Sequence, residues 1–254
     1  MKTKLPSMYH QFKELADVDI TKEPMEVGPT CHYMMGGIRV DGETAETSVP
    51  GLFAAGEAAV GLHGANRLGG NSLSDLLVFG RRAGLCAAEH AKKSGAPAID
   101  PAQIAEAERS MLAPFERNDG ESPYAVHRDL QEVMQNLVGI FRNEEDLQRA
   151  LAELEKLKQR ASRVRVEGSR LFNPGWHLAR DLESMLMVSE AVARSALARR
   201  ESRGAHSRID FPALDDQWGK QNNVVARDGQ TMKLRQLPVK ELPPELQQIL
   251  DEDK

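Results

Sequence analysis

No stretch of this chain approaches the roughly 18 to 20 consecutive apolar residues that a membrane-spanning helix requires. The opening MKTKLPSMYHQFKELADVDI also lacks the apolar run of a secretory signal. Cysteine is scarce: Cys31 and Cys86 are the only two, too few for a disulfide framework and too far apart for a CxxC metal spacing. Positive charge is not in excess. Lysine and arginine number 33 against 38 aspartates and glutamates, a net charge of −5, so nucleic acid is not expected as a partner. The common chemistry-bearing signatures are missing as well. There is no GxxxxGK[ST] phosphate loop, no GxGxxG dinucleotide fingerprint, no HExxH metal motif and no GxSxG nucleophile elbow. These absences lead to the expectation of a soluble protein of a reducing compartment, with no metal site.

What is present falls into blocks of distinct texture. At 254 residues, 41% of them hydrophobic, the chain can bury the core of one large domain or two to three small ones. The first twenty residues read as a short amphipathic helix, with Met8, Phe12, Leu15 and Ala16 at helical spacing. From Pro24 to about Gly56, the runs PMEVGPTCHYMMGGIRVDG and VPGLFAAGE are apolar or β-branched and broken by Gly, Pro and Asp, which predicts strands and turns. VPGLFAAGE reads as a buried strand ending at a glycine, with Glu57 just beyond it. HGANRLGGNSLSDLLVFG (63–80) then runs from a glycine-rich loop with one arginine into a helix. Asn71 or Ser72 is the expected N-cap, and Leu73, Leu76, Leu77, Phe79, Leu85 and Ala88 give an apolar face to about Lys93. Gly80 and Gly84 would form a small groove on that helix.

SGAPAIDP (94–101) reads as a linker, and beyond it three periodic segments, roughly 121–141, 143–166 and 174–200, predict an antiparallel helical bundle. Glu153 with Lys156 suits an exposed helical face. ESRGAHSRIDFPALDDQW is irregular and charged. NNVVARDGQTMKLRQLPV predicts a hairpin around Asp228–Gly229, and ELPPELQQILDEDK a short acidic tail.

Taken singly, the candidate residues have ordinary readings. His32, before a double glycine, is a histidine in an apolar setting, more often structural than catalytic. Arg67 between glycines could be a surface or fold-bridging arginine, and Glu201, Arg203, His206 and Arg208 could tie a charged turn to the helices. Taken together, PTCHYMMGGI, VPGLFAAGEAAVGLHGANRLGGNSLSDLLVFGRRAG and RRESRGAHSRIDFP, in this order and spacing, resemble the flavoprotein subunit of succinate dehydrogenase and fumarate reductase, and the likeness runs on into DDQW.

The resemblance implies an α/β plus α fold: the second half of an FAD-binding α/β domain, then an antiparallel helical bundle and a short C-terminal segment. Residues 1–23 would end a capping domain, 24–95 would be the FAD-domain half, 96–200 the bundle and 201–254 the C-terminal segment with the hairpin. The half carrying the dinucleotide fingerprint would lie outside this chain. The implied reaction is interconversion of succinate and fumarate by hydride transfer with FAD. His32 and Arg67 correspond to the family's substrate-binding histidine and arginine. Glu57, Gly69, Gly70, Asn71, Ser72 and Leu73 correspond to positions against the cofactor. The planar fork of an arginine meets a carboxylate with two parallel hydrogen bonds, and a helix start favours the negative charge a reduced flavin acquires. His63 is assigned no catalytic role, and the residues of ESRGAHSR are expected to be mainly structural.

The implied partners are an iron–sulfur subunit, membrane anchor subunits reached through it, and a separate chain supplying the first half. The implied location is cytoplasmic, or peripheral on the cytoplasmic face of the inner membrane. L-aspartate oxidase shares HGANR and ESRG, but HYMMGG and GGNSLSD favour the succinate/fumarate branch. A truncated or split, non-catalytic fragment is the reading from a different class.

Overall fold

A computed structural model describes residues 2–28, 30–229 and 231–252. The chain divides into two compact units, with the boundary between His32 and Tyr33. In the first, helix α1 (Pro6–Ala16) begins on a proline, which lacks the N–H that a first helical turn leaves unpaired, and stops at Asp17 in the left-handed region (φ 54°). This is the amphipathic helix expected from Met8, Phe12 and Leu15. His32 closes this unit and is exposed; Pro29, in the same motif, lies outside the described residues.

The second unit opens with little regular sheet. Strands β1 (Ile38–Arg39) and β2 (Ala59–Val60) pair in parallel, and Glu46 bridges Phe53. The expected buried strand in VPGLFAAGE is corrected here. Val49–Leu52 is a turn, Gly56–Ala58 a single 3₁₀ turn, and the strand follows the glycine instead of preceding it. The residues before Gly56 are β-prone, but strand residues need a partner row of N–H and C=O groups, and among the described residues they meet one bridge only.

Helix α2 (Asn71–Ser94) follows, as long as its periodicity predicts. The expected cap is also corrected. Asn71 is the first helical residue, Gly70 occupies the cap position at φ +83°, and no side chain caps the start. Only glycine takes that φ without strain. The apolar face of α2 does not join a core: Leu73 is 67% and Leu77 76% exposed, and nothing lies within 4 Å of a Cβ built on Gly80 or Gly84.

The hydrophobic core lies further along. Helix α3 (Pro101–Glu116), capped by Asp100, was not resolved from the sequence as a separate helix. Helices α4 (Pro123–Val133), α5 (Glu144–Ala161) and α6 (Pro174–Ala198) fill the three predicted periodic segments, capped by Ser122, Asn143 and Asn173. Val126, Leu130, Leu147, Leu154, Leu157, Leu182 and Leu186 interlock between them. Each such side chain contributes roughly 1.5–3 kcal/mol by leaving water. A π turn (Met134–Val138) continues α4. Two-residue strands β3 (Phe141–Arg142) and β4 (Ser207–Arg208) pair in parallel and join the ESRGAHSR segment to the bundle. After the short helix α7 (Asp216–Gly219), β5 (Gln221–Asp228) and β6 (Thr231–Pro238) form the expected hairpin. Within the acidic tail, Pro244–Glu252 forms a helix, α8.

Candidate functional site

Within the second unit, residues from three separated motifs converge on the start of α2. Arg67 lies with its guanidinium carbon 4.6 Å from the centroid of the Tyr33 ring. Its Nε is buried and finds no acceptor among the described residues, while Nη1 donates to the neighbouring Leu68 carbonyl at 3.5 Å. Glu57 is engaged, its Oε1 accepting the Met34 N–H at 2.8 Å. This bond ties the loop after PTCHYMM to the 3₁₀ turn of FAAGEA. Gly69, Gly70, Asn71, Ser72 and Leu73 follow Arg67 directly, and a Cβ on either glycine would meet open space. His32 belongs to the other unit, so Arg67, Glu57 and the glycine turn are the predicted residues that the second unit brings together.

Three residues that sequence reasoning did not assign complete this place. Tyr33 Oη is 3.1 Å from His63 Nε2 and donates to Asp75 Oδ2 at 3.4 Å, and His63 Nε2 is itself 3.4 Å from Asp75 Oδ2. His63 and Asp75 are 7% and 6% exposed. Burial, and then the charge of Asp75, push the Tyr33 hydroxyl above its ordinary range, so it stays protonated. The available signal was Asp75 itself, an acid between Leu73 and Leu76 on an apolar helix.

The ESRGAHSR segment supports the site from outside. Ala205 N–H donates to Ala65 O at 3.0 Å, inside HGANR, and Gly204 (φ +59°) lies so close that a Cβ there would sit 2.3 Å from that oxygen. Glu201 is fully buried. Burial alone would raise its carboxyl, but bonds from Arg203, the Asp215 N–H and Arg199 overbalance that and bring it to about 2. His206 accepts from Arg142 at Nδ1, because a guanidinium can only donate, and so gives its Nε2–H to the Arg199 carbonyl. Burial lowers its pKa, in keeping with that neutral form. Arg208, with no exposed surface, donates to the carbonyls of Ala196, Leu197 and Arg199 at the end of α6 and pairs with Asp210. Asp210 in turn accepts the first N–H of α5. Each of these four residues has structural partners.

A helix start without a side-chain cap, behind a double glycine and beside a buried guanidinium nitrogen without an acceptor, defines a place for an anionic ligand. Residues 1–73 match the family model described as FAD binding domain, and residues 127–249 the one described as fumarate reductase flavoprotein C-term. The chain belongs to the flavoprotein-subunit family of fumarate reductases and succinate dehydrogenases, whose cofactor is FAD. It is 42% identical over 211 residues to the fumarate reductase flavoprotein subunit of Escherichia coli, covering 82% of this chain and 35% of that one. Against the succinate dehydrogenase flavoprotein subunit of Coxiella burnetii the identity is 40% over 241 residues, 90% of this chain and 41% of the relative. A solved Mycobacterium smegmatis Sdh1 complex superposes with a TM-score of 0.84 at 53% identity, covering 96% of this chain and 42% of the other. The chain thus spans about two fifths of the length of the relatives it matches. Among the described residues no metal-holding cluster occurs, and no helix is long and apolar enough to cross a membrane.

The residues fit the cofactor on structural grounds. Gly69 and Gly70 leave the space beside the start of α2 open to a flat ring, and the positive end of that helix suits an anionic one.

Proposed function

We propose that this chain supplies one wall of a site that interconverts succinate and fumarate by hydride transfer with FAD. The observation that carries the reading is Arg67, whose buried Nε lacks an acceptor among the described residues, four residues before an uncapped helix start. Arg67 would take one substrate carboxylate in its planar fork, and His32 would donate to the same dicarboxylate from a ring nitrogen. Gly69, Gly70, Asn71, Ser72 and Leu73 would lie against the flavin with Glu57 close by. Bound FAD would supply the hydride acceptor or donor. The chain's own part is to fix the dicarboxylate flat, to hold it by charge where water is excluded, and to present the helix dipole to the reduced ring. The reading also assigns residues 1–23 to a capping domain, 24–95 to half of the FAD domain, 96–200 to the bundle and 201–254 to the C-terminal segment.

Partners follow the same reading: an iron–sulfur subunit, membrane anchor subunits held through it, and a separate chain bearing the other half of the FAD domain. Attachment to the membrane would then be peripheral. The exposed apolar residues Leu73, Leu76 and Leu77 on one face of α2 support the separate chain, because such a face calls for a cover. The test is direct. This chain purified alone should hold no stoichiometric FAD and oxidise no succinate, and co-expression with a fingerprint-bearing half should restore both flavin absorbance and dye-linked succinate oxidation. Flavin retained near one equivalent by the chain alone would refute the divided site, and no recovery on co-expression would make the chain a non-catalytic fragment.

A further inference from the structure

We propose that Asp75, His63 and Tyr33 act as a positioning relay that sets the guanidinium of Arg67 for a dicarboxylate; this rests on the assignment of Arg67 to substrate made above. His63 and Asp75 are nearly fully buried in a part of the fold whose neighbours, Leu62, Leu73, Leu76 and Leu77, are at least half exposed. Burying two titratable groups where apolar residues remain in water is costly, and a hydrogen-bonded network that orders something else offsets that cost. What they order is the Tyr33 ring. Asp75 accepts its hydroxyl proton, which leaves His63 to present Nε2–H to the same oxygen. The His63 ring stands edge-on to the Tyr33 ring, 5.2 Å between centroids at 85°. Hydroxyl and ring edge are both held, so the free face of the tyrosine is fixed, and it carries Arg67.

The geometry gives the platform a purpose. A surface arginine would satisfy its nitrogens in water or on a carboxylate, yet Arg67 Nε is buried without an acceptor. The ring lies against the guanidinium without taking a conventional hydrogen bond from it, so apart from the long Nη1 contact to the Leu68 carbonyl its N–H donors are left for a ligand carboxylate. Glu57 and Met34 close the same loop one residue beyond Tyr33, so the platform is also tied to the residues assigned to the flavin. Tyr33, His63 and Asp75 are therefore positioning residues, acting through Arg67 and not touching the reacting atoms.

The test uses the flavin-loaded assembly purified from its host. Fumarate affinity is read from perturbation of the flavin absorbance, and succinate KM, kcat, FAD content and thermal midpoint are measured in parallel. Tyr33→Leu and Asp75→Asn should each raise fumarate Kd and succinate KM together about tenfold with FAD content unchanged, while Tyr33→Phe, which keeps the ring face, should raise them only about threefold. In an Arg67→Lys background, Tyr33→Leu should add less than about twofold, since the group it positions is gone. If Arg67→Lys weakens fumarate binding while Tyr33→Leu and Asp75→Asn leave it unchanged, or if the double variant is additive, the relay is wrong and the assignment of Arg67 stands. If Arg67→Lys itself leaves fumarate affinity unchanged, the substrate assignment fails and the relay with it. Should Asp75→Asn fail to fold, the Tyr33→Leu and Tyr33→Phe pair decides alone. A lowered thermal midpoint with unaltered Kd marks a merely structural cluster and overturns the proposal.

Discussion

At Arg67 the question is whether charge or shape matters, and the two can be separated. A lysine keeps the charge but loses the fork that meets a carboxylate with two bonds, and it stacks less well on the Tyr33 ring. Arg67→Lys should therefore weaken dicarboxylate binding by about ten- to a hundredfold while FAD remains bound, and His32→Ala should weaken it in the same direction. Titration of the flavin-loaded assembly with fumarate checks both. Loss of FAD with dicarboxylate affinity intact would reverse the assignment. Arg67 could be singled out from the HGANR motif. Tyr33 could not, and Asp75, though an acid on an apolar helix, gave no hint of its partners, because the two lie 30 and 12 residues from His63.

Among the elements, the ESRGAHSR segment links the bundle to the site loop. Its Gly204 leaves no room for a methyl group against the Ala65 carbonyl and sits at a φ that side chains adopt only with strain. Gly204→Ala should cost roughly 1–3 kcal/mol and also lower dicarboxylate affinity, since the loop that must yield carries Arg67 two residues on. A urea melt and a fumarate titration on the same preparation read the two effects. Arg208 is the larger liability. Replacing it with methionine removes the Arg208 donor from the Ala196 and Leu197 carbonyls at the end of α6, leaves the Arg199 carbonyl to His206 and takes the ion-pair partner from Asp210, which should destabilise the fold by about 3–5 kcal/mol, measurable as a shift of the urea midpoint. The segment's charge was plain in the sequence. Its roles as the end of one helix and the cap of another depend on residues 66 apart meeting, Glu144 and Asp210.

For the whole molecule, these buried pairs set the response to acid. Glu201 and Asp210 are both held at about 2 in the folded chain. Their unfolded forms take up protons near pH 4, so the stability they contribute is complete above that pH and is lost as pH falls toward 2. Each is worth of order 2–3 kcal/mol by that linkage. His206, lowered by burial and neutral when folded, adds a loss that begins as pH drops through the ordinary histidine range near 6.5. Urea midpoints should therefore decline gently below about pH 6.5 and steeply below about pH 4. A His206→Gln variant should flatten the first phase only. A flat profile down to pH 3 would mean that these groups do not keep their partners in solution.

The three bundle segments, the long helix after the glycine turn, the Asp228–Gly229 hairpin and the family itself were legible in the sequence alone. Periodicity, caps and turn chemistry act over a few residues, and motifs are written in order along the chain. Only the tertiary structure could place Gly204 against Ala65, seat Tyr33 beneath Arg67, and show that VPGLFAAGE turns where its composition suggests a strand. Each of these depends on which distant backbone or side chain is there to accept a hydrogen bond, and on what remains open to water. Neither is a property of a short stretch of residues.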